Sequence, residues 1–220
     1  MSCFPRTKSR ARGFTLIEVM VVVVAVGILS VLAIPAMRSQ IQSNRTFRAA
    51  QEVAMLYRQA RLRALGRGAA ILFRYAKDAD GNGYVEVREA LTEPLTEGAC
   101  QTPRPGCQDT DWLDVANGTA TNRLITSFEV GKGVYEGISL QAQRGEGESI
   151  QDLDRVEICI TPLGRMFYRT ETTARFQPFS ATNEPPISIL ADRTDNVSFP
   201  RRVLLPTNGA ASVVAAERTP

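Results

Sequence analysis

An α+β fold is predicted, with one long N-terminal helix packed on an antiparallel β-sheet domain. Three observations predict it. Residues 14–34 are a largely apolar run whose only charged residue is Glu18; residues 41–64 keep a helical apolar face; beyond Gly68 the apolar period drops to two and does not return to a helical one. A helix first and strands afterwards, without alternation, gives an antiparallel rather than a parallel sheet.

The first element is FTLIEVMVVVVAVGILSVLAI, Phe14 to Ile34. At ~1.5 Å per residue it reaches about 30 Å as a helix, the thickness of a bilayer's hydrocarbon core. A secretory signal peptide has an apolar run of about 7–15 residues followed by a small-x-small cleavage site. This run is longer, and Ala33-Ile34-Pro35-Ala36 is a poor cleavage site. Arg6, Lys8, Arg10 and Arg12 precede it and favour a cytoplasmic N-terminus, which puts the remainder outside the cytoplasm. Pro35 either bends the continuing helix or ends the span.

The second element is amphipathic. Ile41, Phe47, Ala50, Val53, Tyr57, Ala60 and Ala64 line one side, and Gly66-Arg67-Gly68 stops the helix. From Phe14 to Leu65 it measures about 78 Å, a membrane segment (14–34) continued by a stalk (35–67). Its arginines read as a solvated face.

The third region, 68–220, is β-rich. Ile71, Phe73 and Tyr75 alternate with Leu72 and Arg74, Val85 and Val87 alternate with Tyr84, Glu86 and Arg88, and the turn formers 78–83 between them predict a hairpin. Further strands are expected over 124–130, 134–142, 155–160, 165–170, 186–190, 201–206 and 211–215. The Pro- and Gly-bearing stretch 91–122 and the acidic stretch 143–152 read as loops.

Composition narrows the function. The 220 residues contain no histidine, which excludes imidazole bases, Ser-His-Asp triads and His-ligated metals. No nucleophile elbow or phosphate loop occurs either, so an enzyme is not expected. The net charge is +3, but residues 1–13 contribute +4, leaving 22 basic against 23 acidic side chains. The folded part therefore lacks the excess of a polyanion binder.

Arg12-Gly13-Phe14-Thr15-Leu16-Ile17-Glu18, placed directly before the apolar run, resembles the type III signal of prepilins and pseudopilins. The resemblance implies that a membrane peptidase cuts between Gly13 and Phe14 and that Phe14 is then N-methylated. It implies that Glu18 pairs with the free amine of a neighbouring subunit during filament assembly. A carboxylate in hydrocarbon, at about 2.5 kcal/mol or more, does need a partner. Thr15-x-x-Glu18 also fits a capping box, which would need no membrane. Val156-Glu-Ile158-Cys-Ile160 running into Pro162-x-Gly164-Arg165 resembles the C-terminal domain of the GspH/FimT family of minor pseudopilins and minor pilins. That implies a bacterial inner-membrane protein with its C-terminal domain in the periplasm. Its partners would be the prepilin peptidase, inner-membrane lipid, and other pilins or pseudopilins in a filament.

Three sets of residues carry further expectations. Cys3 leaves with the leader; Cys100 and Cys107 close a short loop and are expected to form a disulfide, with Cys159 a buried thiol. Asp78, Asp80, Asn82, Gly83 and Glu89 match the EF-hand calcium pattern. If 84–89 is extended, however, Glu89 lies about 20 Å from the turn and cannot close the shell. A structural calcium on Asp78, Asp80 and Asn82 alone stays open, and a plain turn is preferred. DNA capture, which some FimT-like proteins perform through a Gly-Arg-x-Arg loop, would use Arg165, Arg169, Arg201 and Arg202. Phe167 stands where the second arginine of that loop belongs, which argues against DNA as a partner without excluding it. The leading expectation is a type II secretion pseudopilin acting by assembly. The alternative is a minor type IV pilin for pilus priming or DNA uptake.

Overall fold

The computed structural model describes residues 14–94, 101–108, 110–112, 121–145, 149–180, 185–195 and 198–216, without the side chains of 32–36 and 38. The chain divides into two compact units, one ending at Ile41 and one beginning at Gln42. Helix α1 runs from Leu16 to Arg67. It passes through Pro35, so the proline does not end it. The helix stops one turn's fraction beyond the expected Leu65, at Gly68, whose φ of 68° is the left-handed conformation that a helix-ending glycine adopts without a Cβ clash.

Among the described residues eleven strands follow: β1 (Ile71–Ala76), β2 (Tyr84–Ala90), β3 (Asn122–Glu129), β4 (Ile138–Arg144), β5 (Gln151–Leu153), β6 (Arg155–Ile160), β7 (Met166–Arg169), β8 (Gln177–Pro178), β9 (Ile187–Arg193), β10 (Arg201–Leu205) and β11 (Ser212–Ala215). They form two sheets, ordered β3-β2-β1-β6-β7-β8 and β11-β10-β9-β4-β5. Every described pairing is antiparallel. The α+β class with a helix on antiparallel sheet is thus the observed one; the split into two sheets is not legible in the alternation. Strand β4 begins at Ile138, later than expected, because Gly133–Tyr135 winds into a 3₁₀ turn. The stretch 143–152 that reads as a loop holds the end of β4, to Arg144, and the start of β5, at Gln151.

The core follows from the periodicities. Ala49, Ala50, Val53, Ala54, Tyr57, Ala60 and Ala64 recur at three- and four-residue spacing on α1 and are buried. Small alanines let the helix approach the sheet closely. Ile71, Phe73 and Tyr75 of β1, Val156, Ile158 and Ile160 of β6, and Ile187, Ile189 and Ala191 of β9 complete the same cluster. The Tyr57 and Phe73 rings meet edge to face, centroids 5.3 Å apart. Burial pushes the Tyr57 hydroxyl pKa well up, against a smaller downward pull from Arg61, so it stays a proton donor. It donates to the Pro206 carbonyl at 2.6 Å.

The first sheet is covered on its other face as well. Leu72, Ala70, Ala90, Cys159 and Phe176 pack there with Cys107 and Trp112 from the 101–112 segment. Strand β1 is therefore buried on both faces along its whole length.

Candidate functional site

At the start of α1, Thr15 is the cap. Its Oγ1 accepts from the Glu18 backbone N–H at 3.3 Å, and its carbonyl accepts from the Glu18 and Val19 N–H groups at 3.1 and 3.3 Å. This is one half of the capping box. The Glu18 carboxylate is exposed and has no partner among the described residues. Around it Phe14 is 83% exposed, and Leu16, Ile17, Val19, Met20 and the valines to Val24 are open too. A carboxylate at the positive end of a helix, ringed by uncovered aliphatic surface, is suited to meeting a cation brought by another molecule. Gly13 lies outside the described residues. Among the described residues no helix is long and apolar enough to cross a membrane. The side chains described on the apolar part of α1 stop at Val31, while the sequence's run goes on to Ile34.

The disulfide is a correction. Cys107 bonds to Cys159, 52 residues away, so Cys107 is not joined to Cys100, which itself lies outside the described residues, and Cys159 is no free thiol. The reason is strand parity. Val156, Ile158 and Ile160 face the helix, so Cys159 points to the opposite face, opposite Leu72 in register, where the 101–112 segment lies. Cβ direction decided the partner, not closeness in sequence.

Under that segment runs a row of charges the sequence reading missed. Glu86 on β2, Arg74 on β1, Glu157 on β6 and Arg169 on β7 are mutual register partners across four strands. The Arg74 Nε donates to Glu157 Oε1 at 2.8 Å and its Nη1 to Glu86 Oε2 at 3.5 Å; Nη2 also donates to the Trp112 carbonyl. Glu157 further accepts from Arg155 at 3.0 Å and Arg169 at 2.6 Å. Arg74 and Glu157 are shielded from water, so these partners replace the hydration each charge gives up on burial. Arg88 adds bonds to Glu86 at 2.9 Å and Asn122 at 3.0 Å. Alternating charges at outward strand positions were the available signal; burial under a loop was not visible in it.

A second cluster joins helix to sheet. Glu89, wholly buried, accepts from Arg123 at 2.7 Å, Arg67 at 3.2 Å and Arg63 at 3.4 Å. Burial alone would raise its pKa. The hydrogen bonds and charges of Arg123 and Arg67 prevail and hold it below the ordinary glutamate value. Arg58 and Arg61 bind the carbonyls of Ala211 and Gly209 at 2.7 and 2.6 Å. Arg58, Arg61, Arg63 and Arg67 are therefore fasteners to the domain, where the sequence suggested a solvated face, while Arg45 and Arg48 stand exposed as it suggested.

The EF-hand pattern is not assembled. Glu89 is held by the arginines just named. Asp78 Oδ1 accepts from the Asn82 N–H at 2.7 Å, as in a side-chain-closed turn. The Asn82 side chain lies against Gly131, where a Cβ would come within 2.5 Å of it. Asp80 is exposed. Among the described residues no three His, Cys, Asp or Glu side chains are gathered to hold a metal ion.

The four arginines weighed for DNA are dispersed among different contacts. Arg169 is spent on Glu157 and on the Phe176 ring, 4.4 Å from its centroid. Arg201 lies over Phe47, and Arg202 reaches Gln143 at 3.4 Å, both on the second sheet. Arg165 stands exposed in the β6–β7 turn.

A family model described as a prokaryotic N-terminal methylation motif matches residues 8–34. Nothing among curated proteins or solved structures matches the chain. The motif indicates a type IV pilin-like prepilin N-terminus, processed by a prepilin peptidase and assembling with other pilins. It points to a structural subunit rather than to an enzyme. The matched stretch holds Gly13, Phe14 and Glu18 together.

Proposed function

We propose that the protein is a filament subunit: cut after Gly13, methylated on Phe14, and joined through Glu18 to the N-terminal amine of a neighbour. The observation that carries this is the unpartnered, exposed Glu18 carboxylate inside the matched methylation motif. In this reading 1–13 is a cytoplasmic leader, 14–34 the inner-membrane segment, 35–67 the stalk and 68–220 the periplasmic domain. Within the class we assign it to the pseudopilus of a type II secretion machine, as a minor subunit. What supports that assignment is the likeness of β6 and the Pro162–Arg165 turn to the GspH/FimT family. A minor pilin that primes pili or takes up DNA is the second reading, and Arg165 is the one exposed arginine of the four that favours it.

The test is a clean deletion scored in parallel for exoprotein release, surface pili and DNA uptake. Loss of release alone supports the secretion assignment. Loss of pili or transformation with normal release overturns it in favour of the pilus. Mass spectrometry of the mature N-terminus checks the class independently, by finding a chain that begins at methylated Phe14.

A further inference from the structure

Beside the end of the first sheet, a groove of about 710 Å³ opens between α1, the β6–β7 turn, β8 and the segment after β10. Among the described residues its lining includes Arg61 and Arg165 and no carboxylate. The domain as a whole has no basic excess, because residues 42–220 hold 21 basic and 22 acidic side chains. The positive character is therefore local to the groove. The Arg61 guanidinium and the Arg165 backbone are set in place beforehand. Arg61 is held by the Gly209 carbonyl at 2.6 Å. Arg165 sits in a turn closed by Thr161, whose N–H donates to the Arg165 carbonyl at 2.9 Å and whose Oγ1 accepts from the Arg165 N–H at 3.1 Å. The Arg165 guanidinium has no partner among the described residues. The wall between them is apolar, from half-buried Phe167 and exposed Pro178. Leu163, in the same turn as Arg165, is 84% exposed.

We propose that this groove binds a short acidic segment of a partner polypeptide, with carboxylates on Arg61 and Arg165 and an apolar side chain against Phe167 and Pro178. Charge complementarity selects the occupant: two cations facing no acid among the described residues attract carboxylates, and an arginine fork matches a carboxylate in two hydrogen bonds. The segment does not bind as an added strand. The Phe179 N–H is used on the Met166 carbonyl at 2.9 Å, so Pro178 is the residue that faces the free edge of β8, and it has no N–H to offer. Recognition falls to side chains. Nucleic acid is the poorer fit, since a phosphate backbone needs a row of cations and exposed stacking rings, and Phe179 is buried. The proposal does not depend on which filament the subunit joins.

The experiment uses the full-length chain in non-ionic detergent and a fluorescent peptide alternating Glu with Leu, read by anisotropy at moderate salt. A peptide with Lys in place of Glu and a single-stranded oligonucleotide are run beside it. The acidic peptide is expected to bind at least tenfold more tightly than either. Arg165→Glu, at an exposed position that leaves the core alone, is expected to weaken it at least tenfold, and Arg165→Lys by less. Equal binding of the acidic and basic peptides, or indifference to Arg165→Glu, overturns the proposal. Tighter binding of the oligonucleotide overturns it too and gives the groove to nucleic acid. Filament defects in the deletion strain bear on the assembly reading only, so the two fail separately.

Discussion

Replacing Glu157 with leucine removes the acceptor on which three arginines converge. Arg74 is left essentially without solvent, keeping its bond to the Trp112 carbonyl and its longer contact with Glu86. Arg155 and Arg169, 30% and 11% exposed, can turn to water and lose less. Removing one member of a buried pair costs about 3–5 kcal/mol, chiefly through the stranded charge. For a domain of this size each kcal/mol shifts Tm by about 2–4 °C, so a fall of about 6–20 °C is expected. The assay is thermal unfolding of the full-length subunit in detergent, followed by near-ultraviolet circular dichroism, with Trp112 as a reporter directly above Arg74. The double variant Arg74→Met with Glu157→Leu removes both buried charges and is expected to recover most of the loss. A shift below about 2 °C for Glu157→Leu would show that the row is solvated and that the cover does not seal it.

Three other outcomes are expected. Non-reducing peptide mapping should yield Cys107 linked to Cys159, and Cys107→Ser with Cys159→Ser should destabilise by about 4 kcal/mol on chain-entropy grounds for a 52-residue separation; a Cys100–Cys107 peptide would refute the pairing. Glu89 has a lowered folded pKa, so its stabilisation is present above the unfolded value, about 4.3, and is lost as pH falls through the folded one; melting curves from pH 6 to pH 2 should show Glu89→Gln closing on the wild type as acid is added, and a constant gap would refute this. Glu18→Val should leave the protein folded and its leader removed, by mass spectrometry, yet abolish crosslinking into filaments; normal incorporation would sink the pairing role.

The helix and the central strands were legible because one physical rule governs each. Val53, Tyr57, Ala60 and Ala64 repeat with the helical turn, and Ile71, Phe73 and Tyr75 alternate with the pleat, so each set is covered by a neighbouring layer. Rules of that kind act within a segment. The two-sheet arrangement, the Cys107–Cys159 bond and the Arg74–Glu157 contact all depend on which distant segment covers the second face of a strand. Arg74 reads as outward in the sequence and is outward from the helix, but a loop rich in proline lies over it. The EF-hand match shows the same limit: its spacing is complete, yet Glu89 faces Arg63 and Arg67 of α1, at the end of β2 away from its nominal companions. At the N-terminus the methylation motif was legible, since Gly13, Phe14 and Glu18 fall in one short stretch and need no tertiary partner to be recognised.

The ties between α1 and the last third of the chain have a mechanical meaning. Tyr57, Arg58 and Arg61 sit within about one turn of each other and grip the carbonyls of Pro206, Ala211 and Gly209, while Arg63 and Arg67 clasp Glu89 just beyond. Tension drawn along this part of the helix would load these bonds side by side, in shear, instead of peeling them one after another. The segment after β10 thereby works as a strap. A subunit trimmed before Pro206 would keep most of its sheets and lose its grip under tension.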